Sequence, residues 1–179
     1  MKGFRISAQN SLNTLKRIGL ISDTHGFLDP KVFDHFKDVD EIWHAGDFGP
    51  AEVALELARI KPLKGVYGNI DDKDIRFEFP KDLIFEEEGL KIFITHIGGY
   101  PGHYAKGIKD QLMKERPDLF ICGHSHILRV ISDPDLKLIS INPGAAGNQG
   151  FHKIKTIMKF DLNNKKLENV KAIELGKRG

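Results

Sequence analysis

The chain has 179 residues, 27 Lys plus Arg against 25 Asp plus Glu, and 40% hydrophobic residues. Such a length suits one compact domain with a sizeable core and excludes a multi-domain machine. A net charge of +2 and a pI near 8.5 describe a mixed surface rather than a polycationic nucleic-acid binder. One cysteine, Cys122, excludes an intramolecular disulfide and makes a reducing cytoplasm the expected compartment, while no apolar stretch reaches the roughly 18 residues of a membrane helix.

Residues 1–16 are acid-free and carry Ser, Asn, Lys and Arg. They read as an N-terminal arm in preference to an organelle transit peptide, ahead of a single domain over 17–179. From Ile18 onward, short apolar runs alternate with longer amphipathic ones, the pattern of strands separated by helices. Ile18 to Ser22 is the first strand. A helix is predicted from Pro30 to Lys37, with Asp29 as N-cap and Pro30 at the first helical position. Glu41 to Gly46 is the second strand, Ala51 to Ile60 a helix with Val53, Leu57 and Ile60 on one face, and Leu63 to Tyr67 the third strand. Leu83 to Glu86 and Leu90 to Thr95 flank an acidic turn ending at Gly89 and read as a hairpin. Tyr104 to Arg116 is predicted helical. Leu119 to Cys122, Val130 to Ser132, Leu136 to Ile141, Thr156 to Asp161 and Leu167 to Leu175 are predicted strands, with turns at Asp133-Pro134 and Asn163-Asn164. An α/β first half passing into a mostly β second half predicts an α/β fold in which two sheets share a core and helices lie outside.

The residues at the end of each buried run point to chemistry. Ile18 to Ser22 ends in Asp23-Thr24-His25-Gly26, the second strand in Asp47, the third in Gly68-Asn69, Leu90 to Thr95 in His96, and Leu119 to Gly123 in His124-Ser125-His126. In open α/β sheets such positions converge beyond the carboxyl ends of the strands. A single Asp or His there is more often a turn or cap residue; seven potential ligands in five strand ends are a different matter. Carboxylates supply charge and can bridge cations, and neutral imidazoles with an amide oxygen complete the shells. This N/O set, without thiolate, suits Mn, Fe, Co, Ni or Zn, and the ligand count fits a catalytic pair. Asp23 and His25, at i and i+2 in extended chain, are expected to point the same way, as are His124 and His126, although with two metals close together each of the latter can serve a different one. Asp47, alone at its strand end, is the expected bridging carboxylate.

Taken in order, these motifs resemble the calcineurin-like metallophosphoesterases, over roughly residues 17 to 161. The small size and Asn142-Pro143-Gly144 further resemble the small prokaryotic phosphodiesterases of that superfamily. The resemblance implies a two-sheet β-sandwich flanked by helices. It implies one metal held by Asp23, His25, Asp47 and His126 and a second held by Asp47, Asn69, His96 and His124. It also implies hydrolysis of a phosphodiester by a hydroxide bridging two divalent ions, Mn first among them. The chain departs from the pattern at Ile70, where many relatives carry a His as proton donor or charge stabiliser. His103, in a glycine-rich loop after His96, is the candidate to replace it as a catalytic group beside Asp47 and Asn69. Asn142 stands in a loop that borders the site in relatives and is a candidate substrate contact.

His44, His35 and His152 are expected to be non-ligands, Asp71 and Asp72 to be turn residues near the site, and Cys122 a buried hydrophobe. The expected substrate is a small, nucleotide-like phosphodiester, strongest when its leaving group is activated. Membrane and duplex nucleic acid are not expected partners, and family likeness suggests a homo-oligomer. The alternative is a non-catalytic scaffold on the same fold, since the superfamily includes a sorting-complex subunit that lacks part of the ligand set.

Overall fold

The structure is a computed structural model in which residues 15–179 are described. Most of the expected N-terminal arm therefore lies outside the described residues, and Lys16 already pairs with Leu162. Strands β1 (Lys16–Ile21), β2 (Glu41–His44) and β3 (Leu63–Gly65) run parallel and are separated by helices α1 (Lys31–Phe36) and α2 (Ala51–Ile60). Helix α3 (Lys73–Glu78) leads to the hairpin β4 (Asp82–Glu87) and β5 (Leu90–Thr95). A two-stranded ribbon, β6 (Gly99–Tyr100) and β7 (His103–Tyr104), precedes helix α4 (Ile108–Glu115). The chain ends in β8 (Leu119–Ile121), β9 (Arg129–Asp133), β10 (Leu138–Asn142), β11 (Ile154–Asn163) and β12 (Lys166–Lys177).

Two five-stranded mixed sheets result, ordered β12-β11-β1-β2-β3 and β4-β5-β8-β10-β9. Alternation along the strands decides their packing. Ile18, Leu20, Trp43, Met158 and Phe160 of the first sheet meet Ile92, Ile94, Leu119, Ile121 and Ile141 of the second in one buried cluster. The opposite faces take the helices. Ile21 and Ile42 pack with Val32, Phe36, Val53, Leu57 and Ile75 from α1, α2 and α3, whereas Phe93 and Phe120 pack under Ile108 and Leu112 of α4. The expected α/β sandwich of two sheets flanked by helices is thus the observed fold.

Several boundaries differ from expectation for local reasons. The helix expected over Tyr104 to Arg116 starts at Ile108, because Gly107 takes φ 82°, a left-handed conformation that ends one backbone path before the helix begins. Tyr104 instead pairs with Gly99 in the ribbon. Helix α3 begins directly after the turn expected at Asp71-Asp72 and is capped by Asp72, whose carboxylate accepts from the N–H groups of Asp74 and Ile75. The second strand stops at His44, short of the expected Gly46, which takes φ 95° and leaves extended backbone, and the third stops at Gly65, short of the expected Tyr67.

Candidate metal centre

The parallel strands β1, β2 and β3 of one sheet and β5 and β8 of the other end at a common rim, and the segments leaving them are stitched together by backbone. Asp23 N–H donates to Gly46 O (3.0 Å), His25 N–H to Asp47 O (3.0 Å) and Gly123 N–H to His96 O (3.0 Å). Six of the expected ligands form two groups, Asp23 with His25 and His126, and Asp47 with His96 and His124, each with ligand atoms within 4.8 Å of one another. Asp47 Oδ2 joins the groups, lying 3.2 Å from His96 Nε2 and 3.7 Å from His25 Nε2. Asn69 is exposed at the end of the β3 segment and borders a cleft with His96.

The side chains do not converge as expected from extended backbone. Asp23, His25, Asp47, His124 and His126 all have positive φ, between 47° and 66°. For L-residues this region is sparsely populated, and such residues persist only where the surroundings enforce them; they concentrate at functional sites. Close approach also demands glycine. A Cβ on Gly68 would overlap the Asp47 carboxylate, and one on Gly123 would overlap Ser22 Oγ and press on Asp23 Oδ2.

The electrostatics can be traced atom by atom. Asp23 is fully buried and accepts from Ser22 Oγ (2.6 Å) and from the N–H of His124 (3.1 Å). Burial alone would raise the Asp47 carboxyl, but His96 and the N–H of Ile70 (3.1 Å) outweigh it and hold it below the usual value. Burial opposes charge on His96 as well, yet Asp47 and Asp23 push its pKa up. His96 Nδ1 faces Ala45 O at 2.8 Å, an acceptor only, so Nδ1 carries a proton and donates. Nε2 is then a buried nitrogen without a hydrogen-bond partner, facing a carboxylate oxygen. Such an arrangement calls for a proton or a cation between the two atoms. The same holds where His126 Nε2 lies 3.1 Å from Asp23 Oδ1 and 3.3 Å from His25 Nε2. Clustered imidazole and carboxylate atoms with surplus lone pairs fit divalent ions of the borderline class.

Behind the rim lies a layer to which the sequence alone assigns no role. His44, expected to be a non-ligand, is fully buried, and burial together with the nearby His96 holds its pKa well below the usual value. Its Nδ1 accepts from Gly46 N–H (3.1 Å), so Nε2 carries the proton and donates to Thr24 Oγ1 (3.0 Å); Thr24 donates in turn to Phe48 O (3.0 Å). This chain ties the segment carrying Asp23 and His25 to the one carrying Asp47. Asp71 accepts from the N–H groups of Asp47 (3.0 Å), Gly49 (2.9 Å) and Gly68 (2.7 Å), joining the β2 and β3 exits. Its own pKa is raised, chiefly by burial, against the pull of those N–H groups. Arg76 donates to the carbonyls of Asp71 (2.7 Å) and Asn69 (3.2 Å) and lies over the Tyr67 ring. The Asp71-Asp72 pair carries the one available signal: if Asp72 caps a helix, its neighbour is left to face inward.

Other expected residues have different surroundings. Asn142 is buried, with Nδ2 donating to Gly123 O (2.7 Å) and Ser125 Oγ (3.1 Å) and Oδ1 accepting from Gly144 (2.9 Å). It therefore holds the His124–His126 segment. His103 is exposed on β7, its ring 4.9 Å from that of Tyr100. His152 meets the His126 ring edge-on at 5.2 Å, and His35 sits on α1. Burial raises the Cys122 thiol to about 12, which keeps it an un-ionised core residue.

The chain is similar to known proteins. Residues 17–165 match the family model described as the calcineurin-like phosphoesterase superfamily domain. A probable metallophosphoesterase from Methanothermobacter thermautotrophicus is 32% identical over 135 residues, 72% of this chain and 76% of the relative. Among solved structures, a novel archaeal phosphodiesterase is 28% identical with a TM-score of 0.70, over 88% of this chain and 99% of that one. Wild-type Vps29 from Entamoeba histolytica, solved with zinc, is similar in fold, with 16% identity and a TM-score of 0.69 over 89% of this chain and 99% of that one.

Proposed function

The chain belongs to the calcineurin-like phosphoesterase superfamily, whose activity class is phosphoester hydrolysis, and on that premise we propose that it is a phosphodiesterase working with two divalent cations. The observation that carries this reading is the pair of donor groups joined through Asp47, with the buried, unpartnered Nε2 of His96 facing its carboxylate. Asp23, His25, Asp47 and His126 would hold one cation, and Asp47, Asn69, His96 and His124 the other, Mn being the expected ion among the Mn, Fe, Co, Ni and Zn that this N/O set suits. When bound, such cations supply an ionised water at neutral pH and neutralise phosphoryl oxygens.

The protein's own contribution is to hold the donors where desolvation makes them effective. Ser22 Oγ and the backbone N–H groups of His124 and Ile70 orient the two carboxylates, and Ala45 O fixes the tautomer of His96. Position 70 carries an apolar side chain, so protonation of a leaving group falls to a metal-bound water or to another residue, for which His103 is the candidate, or does not occur. A phosphodiester is favoured by the similarity to the archaeal phosphodiesterase, and esters with good leaving groups need the missing proton least.

The test is turnover of bis(p-nitrophenyl) phosphate with Mn after chelator treatment, in the unaltered chain and in Asp47→Asn. Metal-dependent cleavage that falls by a factor on the order of 10² or more in the variant is expected, because both cations lose a ligand. No turnover with Mn, Fe, Co, Ni or Zn would favour the scaffold reading instead.

A further inference from the structure

A cleft of about 610 Å³ opens on the side of the site bordered by Asn69 and His96. This size lies within the range of small-molecule sites. Its outer wall comes from three separate segments: Arg76 on α3, Lys81 and Asp82 at the start of β4, and Lys106 before α4. The chain as a whole is nearly balanced, with 27 basic and 25 acidic residues. In the cleft, three basic side chains stand against one carboxylate, Asp82, and that carboxylate already accepts a hydrogen bond from Thr95 Oγ1 (2.6 Å).

Lys81 and Lys106 are exposed, and among the described residues neither has an ion pair or hydrogen-bond partner. Arg76 differs from an ordinary surface arginine. Its Nε and Nη2 are engaged by the carbonyls of Asp71, Gly68 and Asn69, and its guanidinium carbon lies 4.6 Å from the centre of the Tyr67 ring. The group is thus held in one orientation while the two N–H bonds of Nη1 remain unused. A pinned planar fork loses little freedom on meeting an anion, which is why arginine suits phosphate recognition.

We propose that this cleft binds an anionic group, specifically a second phosphate, carried on the far part of the ester being hydrolysed. The corresponding substrate class is a small diester bearing a terminal phosphate, nucleotide-like in charge. The hydrolytic half of this statement rests on the function proposed above; the anion site does not.

Two measurements separate them. Inorganic phosphate is titrated into the full chain in EDTA and followed by amide ¹H–¹⁵N shifts. Saturable shifts at Arg76, Lys81 and Lys106 are expected, weakened about tenfold in Lys81→Gln/Lys106→Gln, since two charge-assisted contacts are removed. Absence of those shifts, or identical binding by the double variant, overturns the anion site whether or not the chain hydrolyses anything. The second measurement compares kcat/KM with Mn for thymidylyl-thymidine with and without a terminal phosphate at either end. A preference of about tenfold or more for one phosphorylated form, collapsing toward unity in the double variant, is expected. Hydrolysis of all forms at equal rates overturns the substrate class and leaves the hydrolase reading standing. Phosphate binding in the cleft with no turnover of any ester supports the site and removes the hydrolase reading.

Discussion

Asp71→Asn tests whether the layer behind the rim sets the metal site. Asp71 is 4% exposed, and its two oxygens accept three backbone N–H groups, Oδ2 from Asp47 and Gly68 and Oδ1 from Gly49. An asparagine of the same shape keeps one acceptor oxygen. With that oxygen in the Oδ2 position, its amide nitrogen faces the Gly49 N–H, leaving a buried donor unpaired at a cost of about 1–3 kcal/mol. The two remaining bonds lose their charge assistance, roughly 0.5–1 kcal/mol each. Burial has already raised the Asp71 carboxyl, so removing its charge returns part of the loss. The net destabilisation is therefore about 2 kcal/mol, or on the order of 4–8 °C in Tm for a domain of this size. Because the same bonds fix the backbone of Asp47 and Gly68, metal affinity should fall by about 10–100-fold. Calorimetric melts of the metal-free chain and a Zn titration read the two effects separately. An unchanged Tm together with unchanged metal affinity would refute the assignment of Asp71 as a positioning residue.

Two further outcomes are expected. His103→Ala should slow cleavage of an alkyl phosphodiester several-fold more than cleavage of a nitrophenyl diester, as only the poorer leaving group needs a proton; equal slowing, measured as kcat/KM on matched substrates, would remove His103 from that role. Asp29 and Lys155 form an ion pair at 2.8 Å with both side chains nearly buried. Burial works against the Asp29 charge, but Lys155 and the N–H of Lys31 outweigh it, so its folded pKa lies below the usual value. A lowered carboxyl contributes stability that is complete above the unfolded pKa of about 4 and disappears as pH falls through the folded one. Asp29→Asn should therefore cost about 3 kcal/mol in urea unfolding at pH 7, where it strands the buried ammonium, and the difference from the unaltered chain should close below about pH 4. A gap that is constant from pH 7 to pH 3 would contradict the pairing.

The backbone at the rim shows where folding energy has been spent. Left-handed conformations at Asp23, His25, Asp47, His124 and His126 cost on the order of 1 kcal/mol each relative to ordinary backbone. The surrounding backbone bonds, the His44–Thr24 link and the Asp71 clip hold them in place. These segments are short and firmly anchored, as a preorganised site requires.

By itself the sequence determined the alternation of strands and helices, the two-sheet core and the identity of residues at the strand ends, because burial periodicity and side-chain chemistry are local properties. Helix α2 was legible to the residue, since its apolar face repeats without interruption from Ala51 to Ile60. Helix α3 was not: six residues with one fully buried position, Ile75, offer too little periodicity to read. The motifs around Asp23, Asp47, Asn69, His96 and His124 were likewise legible, being set by residue type and order. Only the tertiary structure decided how their side chains meet, because that depends on positive φ angles imposed by neighbouring segments and not on the i, i+2 geometry of an extended strand. The roles of His44, Asp71, Arg76 and Asn142 were also decided there. Each acts through hydrogen bonds to the backbone of other segments, in the case of His44 by way of Thr24, and the partner atoms, being common to every residue, leave no mark in the sequence.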